Sequence, residues 1–158
     1  MRKEYWGVYV TTFGKYLKEK TIQLEPLIFN SEFLPNVQIA VVLSEHPQYK
    51  ELKPMFDEYG YGFMVPGKNL IIIDGEQFID EFGADVLKFI EAHEVSHIIL
   101  GHDGPRNDNE EMDADLGAYI LLKKAGRTDS IKTLLKHFKD RHGVKFDEKL
   151  LDRVKNSF

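Results

Sequence analysis

Residues 85–100 read Asp85-Val86-Leu87-Lys88-Phe89-Ile90-Glu91-Ala92-His93-Glu94-Val95-Ser96-His97-Ile98-Ile99-Leu100. Gly101 and then Gly104-Pro105 stop this run, which predicts one helix from Asp85 to about Leu100. Each residue of a helix turns by about 100°. With Val86 at zero, Val86, Ile90, His93, His97 and Leu100 fall on one stripe. Two imidazoles one turn apart therefore occupy the centre of an apolar face. Glu94 falls about a sixth of a turn beyond that stripe. Phe89, Val95, Ile98 and Ile99 make the rest of the wheel largely apolar, the pattern of a buried helix.

Burying two rings and a carboxylate is costly unless something compensates, and a divalent cation compensates all three at once. Two histidines at i and i+4 with an intervening Glu form the arrangement that binds zinc and activates its water. The chain has no cysteine, so any metal must be held by His, Asp or Glu. A catalytic zinc typically takes three protein ligands, so a third should lie downstream.

Asn107 to about Lys124 predicts a second helix, stopped by Gly126. Glu111, Asp115, Ala118 and Leu122 share its buried stripe, with Lys123 and Lys124 pointing elsewhere. Capping competes for the acidic residues: Asp108 with Glu111 fits a capping box, and so does Asn107 with Glu110. Asp115 lies past the first turn, where capping does not explain it. Following so soon after the histidine pair, Glu111 is expected as the third ligand. Asp115 is expected to accept the free N–H of a ligating imidazole.

Farther on, Thr128 to about Arg141 predicts a third helix with Ile131, Leu134, Leu135 and Phe138 at core-facing spacing. Asp147–Lys155 predicts a short terminal helix with Leu150, Leu151 and Val154 inside. The first half is β-rich. Tyr5–Thr12 and Val37–Leu43 read as strands, and Tyr61–Val65 and Leu70–Asp74 as a hairpin about Pro66-Gly67. Lys15–Lys20 reads as a short helix or loop, and Pro54 allows only a broken helix within Pro47–Asp57. The expected class is α+β: a small mixed or antiparallel sheet packed on the buried helix, then a helical C-terminal half. All 158 residues form one expected domain, sheet-rich over 1–82 and helical over 83–158 with the metal site.

The net charge of −5 gives no general reason to expect nucleic acid. No apolar run approaches the roughly 20 residues of a membrane span, and no secretory signal is evident. The expectation is a soluble, cytoplasmic protein. No Walker-type loop or dinucleotide glycine pattern suggests other chemistry.

His93-Glu94-Val95-Ser96-His97 followed by Glu111-Met112-Asp113-Ala114-Asp115 resembles the gluzincin metallopeptidases. AHEVSHIILGHD and then EEMDADLGAYILL are similar to the ImmA/IrrE-type intracellular peptidases, the soluble minigluzincins and the Ste24/HtpX-type proteases. The resemblance covers about residues 61–124. It implies a zincin-like fold, Zn2+ on His93, His97 and Glu111, Glu94 as general base, and Asp115 as an outer partner. It also implies peptide-bond hydrolysis in a peptide or protein substrate, with the hairpin resembling a sheet edge that receives an extended chain. The chain lacks the membrane helices of the Ste24 type and the added helix-turn-helix of many ImmA/IrrE-type proteins.

The metzincin pattern offers Asp103, or else His102, as a competing third ligand, but its glycine falls one place late, at Gly101. The candidates for an oxyanion donor are His142, Arg141, His137 and Tyr119, with His142 taken as the catalytic partner of Glu94. Two other readings of the same fold are a catalytically silent zinc-binding regulatory or interaction module, and a latent protease covered by the helices from Thr128 onward.

Overall fold

The computed structural model describes residues 27–60, 62–65, 67–78, 84–102 and 107–158. The strand expected at Tyr5–Thr12 and the segment Lys15–Lys20 lie outside the described residues. The protein is α+β, and its chain divides into two compact units at Leu87/Lys88.

The first unit is built on the two most β-branched runs. β2 (Gln38–Val42) and β4 (Leu70–Asp74) pair in parallel at the centre of a four-stranded mixed sheet, Ile39 opposite Ile71 and Val41 opposite Ile73. All four of those side chains are buried, as suits central strands. β1 (Leu27–Asn30) pairs antiparallel with β2, and β3 (Gly62–Met64) antiparallel with β4, giving the order β1-β2-β4-β3. The expected hairpin is therefore β3–β4. Its closing contact is Val65 N–H donating to Leu70 O at 2.8 Å.

A parallel pair needs a crossover, and α1 (Tyr49–Tyr59) lies in it. Tyr49 and Phe56 join Val42 and Phe63 in a buried cluster, with Leu52 and Met55 packed on it. Here the broken-helix expectation is corrected: α1 is continuous, with Pro54 inside it. Pro54 and Lys50 are both exposed, so water can satisfy the one carbonyl that proline leaves without its helical donor. The apolar face holds the helix across that missing bond.

The second unit is helical. α2 (Ala84–Ile99) begins just before the boundary, followed by α3 (Asp108–Lys124) and α4 (Thr128–His142). Every residue from Leu87 to His97 is buried, as the all-round apolar wheel required. Both α2 and α3 close with paired Schellman bonds around a left-handed glycine. His102 N–H donates to His97 O about Gly101, and Arg127 N–H to Leu122 O about Gly126, each at 2.9 Å.

Leu134 and Phe138 of α4 are buried, but Leu135, expected inside, is 39% exposed. The core stripe of α4 is thus narrower than the run of apolar residues suggested. The expected terminal helix is replaced by 3-10 turns at Glu148–Arg153 and Lys155–Ser157, with Val154 buried between them. Among the described residues no helix is long and apolar enough to cross a membrane.

Candidate metal centre

His93 and His97 turn their Nε2 atoms toward one another, 3.1 Å apart. Glu111 reaches both from the first turn of α3, with Oε1 3.0 Å from His97 Nε2 and Oε2 3.4 Å from His93 Nε2. The capping question is settled by Asn107, whose side chain accepts the Glu110 N–H at 2.9 Å while its amide donates to Glu110 Oε1. Glu110 closes the box, so Glu111 is free of that duty and turns inward. Glu94 Oε2 stands 3.8 Å from His93 Nε2.

Buried His93, Glu94 and His97 offer ligand atoms within 4.8 Å of one another, a group that can hold a metal ion. The donor spacing fits one. Two imidazole nitrogens on a single tetrahedral ion, each about 2.0–2.1 Å from it, stand about 3.3 Å apart. The observed separation is close to that.

Behind His93, its Nδ1–H donates to Asp115 Oδ1 at 2.7 Å. An ionised carboxylate only accepts, so this bond fixes a proton on Nδ1 and, in the neutral ring, leaves the lone pair on Nε2. Asp115 is 1% exposed and is itself held by two side chains from the end of α4. Arg141 Nε donates to Oδ2 at 2.9 Å, and His142 Nε2 meets the same oxygen at 2.5 Å. The Arg141 guanidinium also lies 5.7 Å from the centre of the Phe89 ring.

Burial opposes charge on His93, but the Asp115 carboxylate, then Glu111 and Glu94, outweigh it and raise its pKa to about 10. Burial likewise pushes the Glu111 carboxyl up. The hydrogen bonds and charges of His93 and His97 prevail and hold it well below the usual carboxylate range. Asp115 is also depressed: burial is outweighed by His93, His142 and Arg141. The two carboxylates and the His93 ring thus hold one another in their charged forms, and a bound cation would take the place of the His93 Nε2 proton.

The structure brings His93, Glu94 and His97 of α2 together with Glu111 and Asp115 of α3. His142, expected to face a reacting oxyanion, has its Nε2 on Asp115, and so does the guanidinium of Arg141. His137 is exposed, and the Tyr119 hydroxyl donates to Glu148 Oε1 at 3.4 Å. His102, weighed as a third ligand, faces the outer nitrogen of His97 with Nδ1 to Nδ1 at 2.9 Å, on the side away from Glu111. Asp103 lies outside the described residues.

Two features were not read in the sequence. One is the engagement of Asp115 by the last turn of α4, for which no local spacing gives a signal. The other is a buried ion pair on α2, Lys88 Nζ to Glu91 Oε1 at 2.9 Å, hidden among apolar neighbours.

Compared with family models, with curated proteins and with solved structures, the chain matches none. What can be said of its chemistry rests on the centre itself.

Proposed function

We propose that the protein is a zinc-dependent peptide hydrolase in which His93, His97 and Glu111 hold the metal and Glu94 is the general base. The observation that carries this reading is the approach of one carboxylate, Glu111, to both Nε2 atoms, at 3.0 and 3.4 Å, while a second, Glu94, stands one step back at 3.8 Å from His93. A carboxylate set back from the donor atoms in this way is placed as a general base on a bound water would be. Two imidazoles and a carboxylate suit a first-row dication, zinc among them.

Bound zinc supplies a Lewis acid and water acidified to a pKa of about 7. The chain's own residues supply the rest. Glu94 takes a proton from the attacking water and returns it to the leaving amine. Asp115 holds the His93 ring in its donor tautomer, and Arg141 and His142 hold Asp115.

The test is Glu94→Gln in protein loaded with zinc, assayed on casein or a peptide mixture. Turnover should fall by at least 100-fold, the lower range of general-base contributions being about that size, while zinc content stays at wild-type level. Glu111→Ala should lower turnover by releasing the metal. Wild-type turnover in the Gln variant would remove Glu94 as base, and a metal-free wild type would remove the centre.

A further inference from the structure

We propose that His102 is a positioning residue of this centre: it accepts the Nδ1 proton of His97 and so keeps the His97 Nε2 lone pair turned toward the metal. The inference deepens the metal-centre reading and rests on it.

The geometry begins with Gly101. Its left-handed backbone, φ 73°, ends α2 and folds the chain back, so that the His102 N–H reaches the His97 carbonyl at 2.9 Å. In this closure the residue after the glycine lies over the residue five places earlier. Both are histidine here. Their rings stand 5.1 Å apart between centroids, tilted by 60°, with the two Nδ1 atoms 2.9 Å apart.

Two neutral imidazoles at that distance share one proton: one nitrogen donates and the other accepts. The two arrangements have opposite consequences. If His102 donates, the His97 proton moves to Nε2, where it points at Glu111 and blocks a cation. If His97 donates, its Nε2 is bare and can ligate, and His102 must carry its own proton on Nε2. That second nitrogen lies 3.9 Å from Glu110 Oε2, a carboxylate that favours a proton there. Glu110 is itself held by Asn107. The N-cap of α3 thus biases the tautomer of His102, and His102 that of His97. His93 receives the equivalent service directly from Asp115. Each ligating ring therefore has an outer acceptor, one a carboxylate and one an imidazole backed by a carboxylate.

Metal-stripped protein, as wild type, His102→Ala, His102→Asn and His102→Lys, is titrated with zinc against a chromophoric chelator. Asn offers an acceptor oxygen near the position of the lost nitrogen, whereas Lys offers only donors. The Ala and Lys variants should bind zinc about 10–100-fold more weakly, the usual effect of losing an outer partner, and Asn should recover most of the loss. Thermal melts of the metal-free variants report folding separately. Long-range 15N–1H ring spectra of the zinc-loaded wild type should place the His97 proton on Nδ1. Unaltered zinc affinity in both the Ala and Lys variants would overturn the proposal, as would an unprotonated His97 Nδ1 in the zinc-loaded protein. A wild type that takes no zinc would sink the metal-centre reading instead.

Discussion

Asp115 Oδ1 accepts the His93 Nδ1 proton at 2.7 Å while its other oxygen is held by Arg141 and His142. One buried carboxylate thus joins the ligand-bearing helix α2 to the end of α4 through α3. Removing it leaves the buried His93 ring, the Arg141 guanidinium and the His142 ring without their acceptor. Asp115→Ala should cost about 3–5 kcal/mol of stability, the range for breaking a buried ion pair. It should also weaken metal binding by roughly 10–100-fold. Denaturant melts and zinc titration measure the two effects, and a loss below about 1 kcal/mol would contradict the burial argument.

Stability of the metal-free protein should depend on pH in a definite direction. The His93 pKa is raised from 6.5 to about 10. Its ion pairing therefore stabilises fully below about 6.5 and is lost as pH rises through 10. Glu111 and Asp115 have depressed values, so their contribution is present above the ordinary carboxylate range and lost as pH falls below it. Melting temperature should decline between pH 6.5 and 10 without metal. With saturating zinc the decline should shrink, because the metal replaces the proton on His93 and binds more tightly as that proton leaves. A flat metal-free profile in that range would be the contrary result.

Gly117 sets how closely α2 and α3 approach. A Cβ there would stand 2.7 Å from Ser96 Oγ, in the middle of the His-Glu-x-x-His run, and 2.4 Å from the Phe158 ring. Alanine has the better helix propensity by about 1 kcal/mol, but overpacking at a closed contact typically costs about 1–3 kcal/mol. Overlap should win, so Gly117→Ala is expected to destabilise. Adding Phe158→Ala should recover part of the loss. A stabilised single variant, seen by thermal melting, would show that the contact yields easily.

Pro54 is the opposite case. It sits exposed inside α1, where it removes one helical hydrogen bond. Pro54→Ala should stabilise by roughly 2–2.5 kcal/mol, the propensity gain less the entropy returned to the unfolded chain. Unchanged or lower stability in a denaturant melt would mean that proline's restriction of the unfolded chain outweighs the missing bond.

Much of this was legible in the chain because it is local. Helical rotation alone puts His93 beside His97 and Glu111 in line with Asp115, Ala118 and Leu122. The glycines after each run mark its end, and the β-branched runs at Val37–Leu43 and Leu70–Asp74 are the two central strands. Even the His102 contact had a local signal, a histidine just after the closing glycine and five places from the ligand. The α1 helix was misread because an apolar face, which depends on partners elsewhere, outweighs the propensity of a single proline. Leu135 was misread for a related reason, since the width of a buried stripe is set by what packs on it.

By itself the sequence determined which residues share a helical face and which donor types are available to a metal. Only the tertiary structure decided that Glu110 rather than Glu111 closes the cap, that Asp115 faces His93, and that Arg141 and His142 stand behind it. The physical reason is range. Rotation along one helix is dictated by its own backbone bonds. The meeting of α2, α3 and the end of α4 depends on how three buried faces pack, and no spacing within any one of them encodes that.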